Sequence, residues 1–386
     1  MAGGVVTTAS PASGTRVLDG LSRLDQVLYG EIAWADLTAA DQAELRLDAV
    51  ADSVAYHVAR NPRYAAFCER RGFRPGDLNA VEDLAAVPQL PATLFKRTDV
   101  VTASGEPVAK RCTSSGTLGG VSVVQRDRTT IDRLLGSVIS GVGLLGDWVD
   151  NERHVVNLGP PPEDAGDLWF AYVMGLLELI APAEHVVADG VLRLDRAEAA
   201  LDAACREGQA FLVGPPVLVR RLAEHLLAEG RALPGEPPMV ITAGGWKRQA
   251  GERIDRPRFD ALVREAFGIG ARPLVRDAFN MVELNTVLFE CRGGRKHAPP
   301  WLHVIVRRLD DLSPALAGEL GLLSYLDPTA QSYPCFLLAD DVGLVHADRC
   351  PCGLPGTTLD VVRRLERVEA RGCALKMEVY GVEEGR

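Results

Sequence analysis

The stretch KRCTSSGTLGGVSVVQRD, residues 110–127, decides how the rest of the chain is read. Thr113, Ser114, Ser115 and Thr117 place four hydroxyls within five positions, with Gly116, Gly119 and Gly120 among and just beyond them. Glycine lets backbone N–H groups approach an anion closely, and hydroxyls add donors, so this composition suits a phosphate cradle. A β-hairpin turn that binds nothing would use the same residues, and the local sequence leaves both open. The lysine of a GxxxxGK[ST] loop is missing, so this is not a Walker A motif. Residues 121–124 are short and mostly β-branched, which predicts two strands around the turn.

Upstream of the turn the pattern is helical from Gly20 to about Leu84. Within residues 40–60, Leu45, Leu47, Val50, Val54 and Val58 recur at a period near 3.6. Pro62, Gly72 and Pro75 punctuate this region, and Pro88 and Pro91 end it. Downstream, short apolar runs at 154–158, 210–213, 239–242 and 272–275 read as strands, alternating with helices at 216–230 and 259–267. Such alternation predicts βαβ units, a largely parallel sheet and ligand loops at strand C-termini. From Leu302 onward the pattern is β-rich. The expected fold class is therefore α/β (α+β), with layered βαβ sheets and helices.

Composition narrows the function. Among 386 residues, 42 Lys and Arg stand against 52 Asp and Glu, a net charge of −10, which argues against a nucleic-acid partner. The longest uncharged run, 134–146, is too short to span a bilayer. Residues 1–15 lack the basic and apolar regions of a signal peptide and read as a disordered lead-in, so a cytoplasmic location is expected. The eight cysteines are then free, metal-bound or catalytic. Cys291-x5-His297 and Cys350-x-Cys352 supply three thiolates and one imidazole, a tetrahedral set typical of structural Zn2+. The alternative is four unrelated residues.

TSSGTLGG resembles the phosphate-binding loop of the adenylate-forming enzymes, which include acyl-CoA synthetases, firefly luciferase and peptide-synthetase adenylation domains. Three further blocks follow in that superfamily's order: TAGGWKR (242–248) with RDAFNMVELN (276–285), YPCFLLADDVG (333–343), and RRLERVEARGCAL (363–375). The sequence is most similar to the acyl-protein synthetase (LuxE) family of the bacterial luminescence fatty-acid reductase, through LFKRTDV, RCTSSGT, RLLGSV, TAGGWK, FNMVELN, RKHAPPW, SYPCF, DDVG and VVRR…GCAL. That resemblance runs from about residue 85 to 376, with weaker similarity to phenylacetate-CoA ligases. Similar pairs occur in some phenylacetate-CoA-ligase-like enzymes, whereas the luminescence synthetases mostly lack these cysteines, so the sequence departs from its nearest family here.

The resemblance implies ATP-dependent activation of a carboxylic acid as an acyl-adenylate, with pyrophosphate released. Thr113, Ser114, Ser115, Gly116 and Thr117 would surround the phosphates, and Glu283 would bind Mg2+. Phe279 would stack on adenine next to Asn280, Gly244 and Gly245 would border the nucleotide, and Asp341, with Asp340 as its rival, would take the ribose hydroxyls. Lys247, the candidate catalytic lysine, and Arg276 are each either a partner of the polyphosphate or carboxylate or a solvated side chain, while Trp246 fills either the acyl pocket or the core. Cys373 would accept the acyl group, with Arg371 and Lys376 favouring its thiolate, and pass it to an acyl reductase or carrier protein.

The implied organisation is a lead-in at 1–15, a helical N-terminal part of the adenylation domain at 16–95, an adenylation core with nucleotide site and zinc knuckle at 96–362, and a hinge-like block at 363–386. The chain ends soon after Cys373, so the usual full C-terminal domain is expected to be lacking and a protein thiol, more than CoA, is the expected acceptor. A CoA or amide ligase is the alternative within enzymes. A silent scaffold is the alternative outside them.

Overall fold

The computed structural model describes residues 21–116, 120–145, 153–179, 181–208, 210–245 and 253–365. Its first elements are helices α1 (Arg23–Leu28), α2 (Ala39–Arg60) and α3 (Pro62–Arg70). A reciprocal cap starts α2: Thr38 Oγ1 accepts from the Asp41 N–H, and the Asp41 carboxylate accepts from the Thr38 N–H. Such a cap contributes about 1 kcal/mol. Leu45, Val50 and Val54 are buried, as their spacing predicts, and Leu47 and Val58 pack at the edge of the same core. Asn61 ends α2 and caps α3, where Pro62 takes the first position and gives up an N–H that would have no partner there.

Next comes the two-residue strand β1 (Leu90–Pro91), then the expected hairpin, β2 (Val108–Thr113) and β3 (Val123–Asp127), paired antiparallel. Asp127 caps α4 (Arg128–Val142). The alternating region follows as β4 (His154–Asn157), α5 (Trp169–Gly175), β5 (Ala183–His185), a small pair β6 (Val187–Ala188) and β7 (Val191–Leu192), α6 (Leu194–Arg206), β8 (Ala210–Gly214), α7 (Pro216–Ala228), β9 (Met239–Ala243), α8 (Arg256–Ala266), β10 (Val275–Phe279) and β11 (Leu288–Phe289). These form one sheet in the order β11-β10-β9-β8-β4-β5. Its pairs are parallel except β10 with β11. Leu201, Leu222, Leu226 and Val263 of the helices bury themselves against Val156, Leu212 and Val240 of the sheet.

One strand boundary departs from expectation. The run at 272–275 is not the strand; pairing with β9 begins at Val275 and continues through Arg276 and Asp277 to Ala278. Arg276 is buried and Asp277 is paired with Lys296, so both remain within the strand.

The second sheet is antiparallel: β12 (Lys296–His297), β13 (His303–Arg307), β14 (Gly321–Leu326), β15 (Phe336–Val345) and β16 (Thr358–Arg364), in the order β12-β16-β15-β14-β13. The upstream β1 adds to β15 in parallel, which ties the N-terminal segment to this sheet. Trp301, Tyr325, Tyr333 and Phe336 are fully buried in the core they share with α2. Gly343 is required by strand spacing, since a Cβ there would lie 2.1 Å from the Asp360 carbonyl oxygen. No described helix is long and apolar enough to cross a membrane.

Candidate active site

The hairpin neck is closed by its own hydroxyl. Ser114 N–H donates to the Ser122 carbonyl at 3.0 Å, and Ser114 Oγ accepts from the Ser122 N–H at 2.9 Å. Thr113 is engaged differently: its N–H and its hydroxyl both donate to the Asp167 carbonyl, at 2.7 and 3.1 Å. Thr113 thus anchors the loop to the segment before α5, and Ser114 closes its neck, with Ser115 and Gly116 next in the chain. Thr117 lies outside the described residues.

Glu283 follows β10 in a turn packed beneath this hairpin. It is 5% exposed, and burial pushes its carboxyl above the ordinary range. The Ser122 side chain lies beside it, fully buried, and favours its charged form. The positive groups that bear on Glu283 are Arg364 and Lys96. The Lys96 stem lies against the loop, because a Cβ at Gly120 would be 3.6 Å from Lys96 Cβ and 3.8 Å from its Cδ. A buried carboxylate outside any described ion pair, a hydroxyl beside it and a nearby ammonium suit a divalent cation with its phosphates.

The Glu283 turn is held rigidly. Asn280 Nδ2 donates to the Leu284 carbonyl at 3.1 Å and the Thr286 carbonyl at 2.8 Å, while its Oδ1 accepts from Trp169 Nε1. The Asn280 amide, expected among the nucleotide ligands, is therefore committed to the turn. Beneath it lies Arg126, 0% exposed. Its Nε donates to Asn285 Oδ1 at 3.0 Å, and its Nη2 donates to the Val282 carbonyl at 2.7 Å and to Tyr333 Oη at 3.1 Å. Its guanidinium also lies 3.7 Å from the Trp169 ring centroid. Cys335 adds an Sγ–H donor to the Glu283 carbonyl at 3.1 Å.

Phe279, at the end of β10, is stacked on Tyr325 with centroids 6.3 Å apart. On β15, successive side chains point to opposite faces. Asp340 pairs with Arg364 at 3.6 Å, whereas Asp341 is the carboxyl that has Glu283 among its charged neighbours. Burial is the largest influence on Asp341 and raises it to about 6, against the pull of Arg364. Gly244 and Gly245 end β9 with φ of +85° and +63°. A Cβ on Gly244 would fall 2.6 Å from Phe170 Cε2, so only bare backbone fits there.

The fold therefore draws residues 96, 114–116, 279, 283 and 341 toward one region. It takes Arg276 away from the phosphates: this side chain is buried, with Glu290 and Cys291 as its nearest charged influences. Trp246, Lys247, Arg371, Cys373 and Lys376 lie outside the described residues. Sequence reasoning missed Lys96, Ser122 and Arg126. Lys96 falls inside the LFKRTDV block, which was the one available signal; the other two carried none.

Behind this region, Cys291, His297, Cys350 and Cys352 are all buried, with their ligand atoms within 4.8 Å of one another. Cys291 Sγ is 3.4 Å from Cys350 Sγ, and Cys352 Sγ is 3.3 Å from His297 Nε2. Tetrahedral zinc with bonds of about 2.3 Å separates neighbouring sulfurs by roughly 3.8 Å, so the set is the right size for one ion. The thiols form no disulfide.

This arrangement of a mostly parallel sheet, an antiparallel sheet and a hydroxyl-rich hairpin is the fold of the adenylate-forming ligases. The structure matches a 2-hydroxyisobutyryl-CoA ligase with a TM-score of 0.63 at 18% identity, over 86% of this chain and 76% of that one. The sequence is 39% identical to the long-chain-fatty-acid–luciferin-component ligase of Vibrio harveyi and 35% identical to that of Aliivibrio fischeri. These alignments span 87% of this chain in both cases, and 88% and 89% of the relatives. The family model for acyl-protein synthetase, LuxE, matches residues 20–380. The chain belongs to the acyl-protein synthetase (LuxE) family and is an acid ligase that works through an adenylate and acyl transfer.

Proposed function

We propose that the protein activates a long-chain fatty acid with ATP and Mg2+, carries the acyl group on Cys373, and hands it to an acyl reductase or carrier protein. The observation that supports this most directly is the convergence of Lys96, Ser114, Ser122, Glu283 and Asp341 from segments far apart in the chain. The named activity of the Vibrio harveyi and Aliivibrio fischeri relatives supports a fatty acid over other acids.

In the first step a carboxylate oxygen of the acid attacks the α-phosphorus of ATP. The bond from that phosphorus to the β-phosphate oxygen breaks, and pyrophosphate leaves with the electron pair. Ser115 and Gly116, with Thr117, hold the polyphosphate, Lys96 offsets its charge, Phe279 lies against adenine, and Asp341 accepts from the ribose hydroxyls. Lys247 is kept as the cation toward the reacting acid. Mg2+ held at Glu283 would neutralise the charge that develops on the leaving pyrophosphate. In the second step the Cys373 thiolate attacks the acyl carbonyl, the carbonyl–phosphate bond breaks and AMP leaves, so a thioester forms. A structural Zn2+ on Cys291, His297, Cys350 and Cys352 completes the cofactor set.

The decisive experiment is Cys373→Ser with radiolabelled fatty acid and ATP. The variant is expected to retain acid-dependent pyrophosphate release and to lose the hydroxylamine-labile label on the denatured protein. An equal label on both proteins would exclude Cys373 as the carrier.

A pH dependence follows from Asp341, whose carboxyl sits at about 6. Only the ionised form accepts both ribose hydroxyls, so the KM for ATP is expected to rise as pH falls below about 6, and Asp341→Asn is expected to flatten that rise. The sign for stability is opposite. Burial favours the protonated form, so this contribution is present below the ordinary carboxylate range and is lost as pH rises past about 6. Equal KM at pH 5 and pH 7.5 in the unaltered protein would remove Asp341 from the ribose site.

A further inference from the structure

The Cys3His cluster lies where the chain crosses from one sheet to the other. Cys291 follows β11 of the first sheet, His297 closes β12 of the second, and Cys350 and Cys352 lie in the connection between β15 and β16. Gly293 packs so tightly on the cluster that a Cβ would come within 3.1 Å of Cys350 Sγ and 3.5 Å of Cys291 Sγ. The N–H groups of Gly293 and Leu354 donate to the Cys291 and Cys352 sulfurs at 3.3 and 3.4 Å. Backbone donors aimed at sulfur favour thiolates.

A charged chain leads from this cluster toward the nucleotide side. Lys296, next to His297, is 7% exposed, and its Nζ lies 2.7 Å from Asp277 Oδ2 and 3.9 Å from Glu290 Oε2. Glu290 is in turn gripped by both terminal nitrogens of Arg256, at 3.1 and 3.0 Å. The other Asp277 oxygen accepts from Thr242 Oγ1 at 2.8 Å. Asp277 and Thr242 are register partners on β10 and β9, each two residues before the segment that reaches the nucleotide, Phe279 in one case and Gly244 in the other. The strand presenting Lys296, β12, is only two residues long, and ladder bonds alone hold so short a strand weakly.

We infer that Zn2+ in the Cys3His cluster fixes β12 in place, and that Lys296, Asp277 and Thr242 carry this anchorage to the ends of β9 and β10. Metal occupancy thereby sets the affinity for ATP without the metal touching the nucleotide. The inference rests on the Zn2+ proposed above, and it gives that ion a task beyond holding the fold. With the ion lost, β12 loosens and the buried ammonium no longer holds Asp277 against Thr242. The Gly244–Gly245 turn and Phe279 then lose their shared reference position.

The test uses the full chain purified without added metal or chelator. Elemental analysis is expected to find one Zn2+ per chain, and ATP binding is measured by calorimetry on the same protein and on Lys296→Met and Thr242→Val. Both variants are expected to keep one Zn2+ and to bind ATP roughly tenfold more weakly. Zinc stripped by a thiol reagent and chelator is expected to weaken ATP binding at least as much, and re-added Zn2+ to restore it. Protein that contains no zinc and takes none up overturns the metal reading. Zinc-replete variants with unchanged ATP affinity overturn the relay alone. Should Lys296→Met fail to fold, Thr242→Val, which deletes a single hydroxyl, decides the same question.

Discussion

Glu283→Gln is expected to lower acid-dependent pyrophosphate release about a thousandfold while leaving the protein folded. That loss corresponds to about 4 kcal/mol of transition-state stabilisation, the scale of removing one charged participant from a water-poor site. Folding should not suffer, because burial already holds this carboxyl above its ordinary range and disfavours its charge. Glutamine keeps the shape and removes the cost of burying the anion, so the apparent melting temperature is expected to stay level or rise. Lys96→Ala in the same assay is expected to act mainly on the KM for ATP, by about tenfold, since its ammonium bears on bound phosphate. Steady-state kinetics with a melting curve for each variant provide the check. Near-normal turnover in Glu283→Gln would exclude this carboxylate from the metal site.

Arg126→Met is expected to produce the largest loss of stability, roughly 2–5 kcal/mol, together with a fall in turnover. Two effects compete. Methionine relieves the burial of a guanidinium, which costs several kcal/mol even after relaxation. It also leaves the Val282 carbonyl, Asn285 Oδ1 and Tyr333 Oη without their donor, at about 1–3 kcal/mol each, and removes a cation–π contact of about 2 kcal/mol. The second set outweighs the first. Because Val282 adjoins Glu283, the loosened turn should cost turnover as well as melting temperature. Arg126→Lys is expected to rescue little, since a lysine cannot present a fork to three acceptors. A variant that melts normally and turns over normally would show that Arg126 only fills space.

Much of the architecture was legible from local patterning. The α2 period, the hairpin at 108–127 and the alternation through 154–279 all express preferences that act within a few residues. The end of β10 was not legible, because charged Arg276 and Asp277 stay in the strand only through burial and the Lys296 pair, which tertiary packing supplies. Asp340 and Asp341 are adjacent and chemically identical. Only the face that β15 turns toward Glu283 separates them. Asn280 matched a nucleotide motif, yet its amide is engaged with Trp169, Leu284 and Thr286.

The amino-acid sequence alone determined the order of elements, the hydroxyl-rich hairpin, the family blocks and the spacing of the three cysteines and one histidine that cluster. Each of these is a matter of residue type at short spacing, where backbone preference and side-chain chemistry act locally. The tertiary structure alone decided that Lys96 reaches the loop at Gly120, that Arg126 supports the Glu283 turn 156 residues away, and that a buried lysine links the cysteine cluster to β9 and β10. Those contacts depend on how segments far apart in the chain pack together, and packing distance is not written in the spacing of residues along the chain.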